Sequence, residues 1–133
     1  MGKKSDTHIV YVDDDPDDRE LMSDVFAAIS DYHFITFEDG GSFLEYLQEL
    51  SQPTLPCLVI LDINMPELKG TDILVNLKTS EDYKEIPVVM FSTAANPQDK
   101  IFCKQYNTDI VPKPMKFEDV VEIARTLMAY CRK

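Results

Sequence analysis

Cys57-Leu58-Val59-Ile60-Leu61 is an unbroken run of five apolar residues, and Asp62 follows it directly. A short run this rich in Val, Ile and Leu, with no polar alternation, reads as a strand buried on both faces. That is the pattern of a central strand in a parallel sheet. The interior of such a strand has no place for a carboxylate. Its carboxyl end does, because an open parallel sheet takes its ligands in the crevice outside that end. Asp62 is therefore judged by its company. With other charged groups converging on it the chain handles phosphate or metal, and alone it is a turn residue.

The rest of the chain repeats the pattern. His8–Val12 reads as a first buried strand, followed by Asp13, Asp14 and Asp15 and then a helix with Asp15 as N-cap and Pro16 in its first position. Leu21, Met22, Val25, Phe26 and Ile29 form the apolar stripe of that helix. His33–Phe37 is a second strand, and Phe43, Leu44, Leu47 and Leu50 line the helix after it. The two prolines of Ser51–Pro56 end that helix and lead into the strand that reaches Asp62. Beyond Gly70 a third helix carries Ile73, Leu74 and Leu77, and Val88–Phe91 is the fourth strand. A weaker helix over Pro97–Tyr106 has Ile101 and Phe102 as its core side, and Asp109–Val111 is a brief fifth strand. The last helix shows the strongest periodicity: Phe117, Val120, Val121, Ala124, Leu127, Met128 and Cys131. Strands alternating with helices, joined by right-handed crossovers, make a doubly wound α/β fold with helices on both faces of a parallel sheet. Residues 1–7 read as a polar lead and 8–133 as one domain.

Composition narrows the function. Twenty-four acids against 13 bases give a net charge of −11, which repels polyanions, so binding to nucleic acid or to an acidic membrane surface is not expected. No apolar run approaches the length needed to cross a bilayer, and no signal sequence opens the chain. Three widely spaced cysteines, Cys57, Cys103 and Cys131, fit thiols that serve as small core residues in a reducing, cytoplasmic setting.

In the flavodoxin-like order 2-1-3-4-5, the first and third strands are neighbours and the crevice falls between them. The strand ends then bring Asp13 and Asp14 toward Asp62, with Ser92 and Lys113 from the opposite flank. Three carboxylates at such range repel one another unless a cation sits among them, and hard oxygen ligands suit Mg²⁺ or Mn²⁺. A lysine and a hydroxyl are what a phosphoryl group needs on the oxygens that a metal does not reach. A carboxylate between metal and lysine is placed to act as a nucleophile and form an acyl phosphate. Each residue alone has a plainer reading: acids before a helix cap it, Asp62 and Ser92 are turn residues, and Lys113 is a solvated lysine. Their conjunction at one sheet edge is what points to phosphoryl transfer.

Val12-Asp13-Asp14-Asp15, Leu61-Asp62-Ile63-Asn64-Met65-Pro66 with Gly70, Phe91-Ser92-Thr93-Ala94 and Lys113-Pro114 together resemble the receiver domain of two-component response regulators, of the CheY-like kind. The resemblance runs from about His8 to Arg132, and the sheet order 2-1-3-4-5 rests partly on it. It implies that Asp62 accepts a phosphoryl group from a sensor histidine kinase or a small phosphodonor. It also implies Mg²⁺ held by Asp14 and Asp62 directly, by the Asn64 carbonyl, and by Asp13 through water, with Ser92 and Lys113 meeting the phosphoryl group. The Lys113–Pro114 bond is expected to be cis. The implied role is a phosphorylation-controlled switch rather than an enzyme. It would signal to a downstream protein or a phosphotransfer protein, or to a second copy, through the face of the fourth helix, fifth strand and fifth helix.

Two departures stand out. Ile110 occupies the position where the family carries a switching Tyr or Phe, and Pro112 precedes Lys113. The loops Ser51–Pro56 and Thr79–Pro87 resemble those of stand-alone receivers linked to phytochrome-type kinases. A HAD-type phosphatase would also use an acid pair here, but Pro16-Asp17 lacks its small β-branched residue and the chain has no room for a cap domain. An EF-hand reading of Asp13, Asp15 and Asp17 fails because its sixth position is Asp18 and its twelfth Asp24. The remaining alternative is a degenerate receiver that works as a phosphorylation-independent interaction module.

Overall fold

Burial separates the strands into centre and edge. The structure, a computed structural model, describes residues 8–51, 54–114 and 116–132, so the polar lead expected over 1–7 lies outside the described residues. Strands β1 (His8–Val12), β3 (Leu58–Asp62) and β4 (Val88–Ser92) are buried at every position, whereas β2 (His33–Phe37) and β5 (Asp109–Pro112) are partly exposed. They form one parallel sheet in the order β2-β1-β3-β4-β5. The continuous apolar runs take the middle because both of their faces are covered. The strands bearing His33, Thr36 and Asp109 take the edges, and Pro112 is tolerated where an edge strand needs no further ladder bond.

The helices cover the two faces: α1 (Pro16–Ile29) and α5 (Phe117–Met128) on one, α2 (Gly40–Gln48), α3 (Gly70–Lys78) and α4 (Pro97–Gln105) on the other. Strand periodicity sorts the core accordingly. Ile9, Tyr11, Ile60 and Phe91 pack with Phe26 and Leu127, while Val10, Val12, Leu61 and Met90 pack with Phe43, Leu47 and Leu74. Side-chain caps start three of the helices: Asp15 accepts from the Asp17 N–H, Asp39 from Ser42 and Asn96 from Asp99. No described helix is long and apolar enough to cross a membrane.

The structure corrects the sequence reading in three places. The strand expected over Cys57–Leu61 runs Leu58–Asp62, so Asp62 is itself the last strand residue. Ile101 is 63% exposed and Phe117 65%. On α4 the buried residue is Cys103, and two residues at about 100° each turn Ile101 to the opposite side. On α5 the buried stripe begins at Val120, one turn after Phe117. Finally, Cys57 and Cys131 are not thiols. They form a disulfide across 74 residues of sequence, with Cα atoms 4.9 Å apart, and only Cys103 is free and buried. Sequence spacing held no sign of this pairing, because the start of β3 meets the 3₁₀ turn after α5 (Ala129–Arg132) only in the folded chain.

A crosslink that closes a loop of this size removes much chain entropy from the unfolded state. Reduction, or Cys57→Ser, is expected to lower the unfolding free energy by about 2–4 kcal/mol in urea titrations run with and without reductant. Coincident curves would show that the bond adds nothing to stability.

Candidate functional site

Asp13 follows β1 immediately and is fully buried. Its backbone N–H donates to the Phe37 carbonyl at 3.0 Å, which fixes the strand end. One carboxylate oxygen accepts from the Asp15 N–H at 2.9 Å, and the other accepts from the Tyr11 hydroxyl two residues back. Arg19 Nη1 donates to the Asp13 carbonyl at 2.7 Å. Burial first, and then the charge of Asp13, hold the Tyr11 hydroxyl far above its ordinary range, so it stays a donor. Asp13 is thus held by backbone and side chain alike in one orientation, toward β3.

Asp62 ends the adjacent strand, 5% exposed. The register pairs Val12 with Leu61, so the residues after each pair, Asp13 and Asp62, leave the sheet side by side. Asp14 stands at the exposed mouth, and oxygens of Asp13, Asp14 and Asp62 all lie within 4.8 Å of one another. Burial and the Asp13 charge push the Asp62 carboxyl up to about 7, against the opposing pull of Lys113 and of the Asn64 backbone N–H; Asp14 adds to the rise. The expected group therefore assembles, with Asn64 exposed two residues past Asp62 and acting on it through its backbone.

Lys113 answers the charge. Its Nζ lies 2.8 Å from Asp13 Oδ2, 3.0 Å from Asp18 Oδ2 and 3.6 Å from Asp62 Oδ2, with only 12% of the side chain exposed. Burial alone would lower its pKa, but the hydrogen bonds to Asp13 and Asp18 outweigh that and hold it above the usual lysine value. Its own N–H donates to the Ser92 carbonyl at 2.9 Å, which ties the loop after β5 to the end of β4. Ser92 is buried there, and its Oγ accepts from the Ala94 N–H at 3.1 Å, so the hydroxyl serves its own loop. The Lys113–Pro114 bond is trans, correcting the expected cis isomer. The trans form is the intrinsically favoured one, and in it Lys113 already reaches both Asp13 and the Ser92 carbonyl.

Three contributors escaped the sequence reading. Tyr11 read as core, and nothing in a strand pattern says that its hydroxyl meets Asp13. Asp18 entered the sequence reading only as the sixth position of the rejected EF-hand pattern. Gly70 read as a motif position without a reason, and the structure supplies one. A Cβ there would lie 2.2 Å from the Asp62 carbonyl oxygen, so α3 starts directly against the strand end that carries the Asp62 carboxylate. Ile110 lines, with Ser92, Thr93, Lys100 and Lys104, a groove of about 730 Å³ between α4 and β5.

Comparison with known proteins agrees with this geometry. The family model described as "response regulator receiver domain" matches residues 9–125. Response regulator Rcp1 of Synechocystis sp. is 33% identical over 97 residues, covering 70% of this chain and 66% of that protein. The Mn²⁺-bound structure of Rcp1 superposes with a TM-score of 0.80 at 26% identity, covering 92% of both chains. Two-component response regulator ORR3 of Oryza sativa subsp. indica is 32% identical over 122 residues, 91% of this chain and 90% of its own. The bacteriophytochrome response regulator AtBRR gives a TM-score of 0.72 at 26% identity, covering 92% of each chain. For several curated relatives, Rcp1 among them, the chain spans 54–66% of their length.

Two outcomes are expected from the site itself. Because the Asp62 carboxyl is raised from its ordinary value of 3.8 to about 7, the folded state binds its proton more tightly than the unfolded one, and stability falls as pH rises between those values. Asp62→Asn in chelator-containing buffer should then raise the unfolding free energy by roughly 2 kcal/mol at pH 8 and by little at pH 4; a pH-independent effect would contradict the assignment. Gly70→Ala should cost about 2 kcal/mol or more in thermal or urea unfolding, since backbone rather than a flexible side chain must yield.

Proposed function

The chain belongs to the response regulator receiver family, and we propose that Asp62 is the residue on which it receives a phosphoryl group from a sensor histidine kinase or a small phosphodonor. One observation carries this reading. A buried carboxylate at the end of β3 is pushed up to about 7 by burial and a second buried acid, and a buried ammonium stands 3.6 Å away. A site built in that way binds cations strongly and presents a nucleophile beside a fixed positive charge.

Asp13, Asp14 and Asp62, with the Asn64 carbonyl, form a hard oxygen set suited to Mg²⁺ or Mn²⁺, and one oxygen from each carboxylate lying within 4.8 Å of the others fits a single ion. A divalent ion bound there supplies charge neutralisation for the phosphoryl oxygens. Asp62 attacks phosphorus through a carboxylate oxygen. The donor's P–N or P–O bond breaks, the donor leaves with its electron pair, and an acyl phosphate remains on Asp62. Lys113 moves from its place beside Asp62 onto a phosphoryl oxygen, and the Ser92 hydroxyl turns from the Ala94 N–H to another. That turn is the event that reaches the loop after β4 and the α4–β5 groove.

The role is signalling, with gain and loss of the phosphoryl group as the chain's own reaction. Output leaves through the face of α4, β5 and α5, where Ile101 and Phe117 stand exposed, toward a downstream protein, a phosphotransfer protein or a second copy. Likeness to AtBRR supports a phytochrome-type kinase as donor. The exchange belongs in the cytoplasm, where such phosphodonors are made.

Incubation with acetyl phosphate and Mg²⁺ should give one hydroxylamine-sensitive phosphoryl adduct, read by intact mass. It should be absent in Asp62→Asn or with chelator present, and form tenfold or more slowly in Lys113→Ala, by roughly the loss expected for a single charge-stabilising donor. An intact, folded protein that gains no adduct would leave the phosphorylation-independent interaction module as the reading.

A further inference from the structure

Asp18 is a partner of the Lys113 ammonium that phosphoryl transfer to Asp62 does not require. It lies in the first turn of α1, 3.0 Å from Nζ, on a helix rather than at a strand end. An ammonium has three N–H donors. Two are within hydrogen-bond distance of Asp13 and Asp18, while Asp62 at 3.6 Å is reached by charge alone. The three acids differ in burial. Asp13 is enclosed and Asp62 nearly so, but the Asp18 side chain is 36% exposed, so water can replace the ammonium there at little cost. Beside it is a gap of about 20 Å³ bounded by Tyr11, Asp18, Phe91 and Lys113, enough for the ammonium to shift or for one water to enter.

We propose that Asp18 is a positioning residue acting through Lys113: it draws the ammonium toward α1, away from Asp62, and so slows the gain of the phosphoryl group. This rests on Asp62 being the acceptor. Before transfer, Asp18 and Asp13 share the ammonium. As the Asp62–phosphorus bond forms and the donor's bond breaks, the phosphoryl oxygens carry more negative charge than one carboxylate and take the N–H that Asp18 held. Asp18 is the weakest competitor because it is the most hydrated. Its charge also contributes to the attraction that Mg²⁺ feels, and without it Lys113 moves closer to Asp13 and Asp62 and opposes the ion.

The test compares wild type, Asp18→Asn and Asp18→Glu for the rate of phosphorylation by acetyl phosphate at saturating Mg²⁺, and for Mg²⁺ affinity by calorimetry, with thermal unfolding as a check of fold. Asp18→Asn should be phosphorylated about three- to tenfold faster and bind Mg²⁺ about three- to tenfold more weakly, the size expected for one partly screened charge. Asp18→Glu should return both values most of the way to wild type, which a merely structural role would not produce. Equal or slower phosphorylation of Asp18→Asn beside a wild type labelled on Asp62 overturns the proposal and leaves the acceptor intact. If wild type gains no adduct, the acceptor reading is what fails, and unchanged Mg²⁺ affinity in Asp18→Asn then overturns the hold on Lys113 as well.

Discussion

Two carboxylates end adjacent strands of a buried sheet, and the ammonium of Lys113 is what makes that arrangement tolerable. Asp13 has no solvent to share its charge and Asp62 almost none. Without a cation between them the pair would repel across a low-dielectric crevice, and one would hold a proton. Lys113 reaches them only because its backbone is fixed to the Ser92 carbonyl at the end of β4. The charge balance of the β1–β3 crevice therefore depends on the far flank of the sheet, through the single loop after β5. A change of charge on Asp62 cannot be absorbed locally. It alters what Lys113 holds, and Lys113 is attached to the loops that border α4 and β5.

The sequence made the architecture readable because its strongest signals are the ones that parallel sheets require. Apolar runs without alternation marked β1, β3 and β4, and polar punctuation marked their carboxyl ends. Asp15 and Pro16 announced the start of α1 by cap chemistry. The acids, the lysine and the hydroxyl were legible as a set because strand ends in this topology share an edge. What stayed hidden depended on contacts across sequence. The Tyr11 hydroxyl looks like core, and nothing in the α1 sequence marks Asp18 as a partner of Lys113. Ile101 and Phe117 satisfied a helical period yet face outward, since periodicity identifies an apolar stripe and not the limits of the neighbour that covers it. The expected cis Lys113–Pro114 bond came from family habit and the expected thiols at Cys57 and Cys131 from cysteine count, neither of which knows the folded distances.

Ile110 gives the groove between α4 and β5 its character. A β-branched aliphatic side chain has few rotamers and no ring to swing between an inward and an outward position. The half-buried Ile110 borders open space together with Lys100, Lys104 and Thr93. Motion of the Ser92–Thr93 loop can thus change the shape and charge of this groove without an aromatic gate, by moving one wall of it. The coupling is then carried by backbone displacement, with Ile110 as a passive surface.

The disulfide and the carboxylate cluster stand at opposite ends of one strand. Cys57 precedes β3 and Asp62 closes it, with the five residues of the strand, about 17 Å of extended chain, accounting for nearly all the distance between them. One fully buried strand therefore links the disulfide at its first tip to the carboxylate cluster at its second. Opening the Cys57–Cys131 bond would free the end of α5 from the start of β3, at the tip of the strand remote from Asp62.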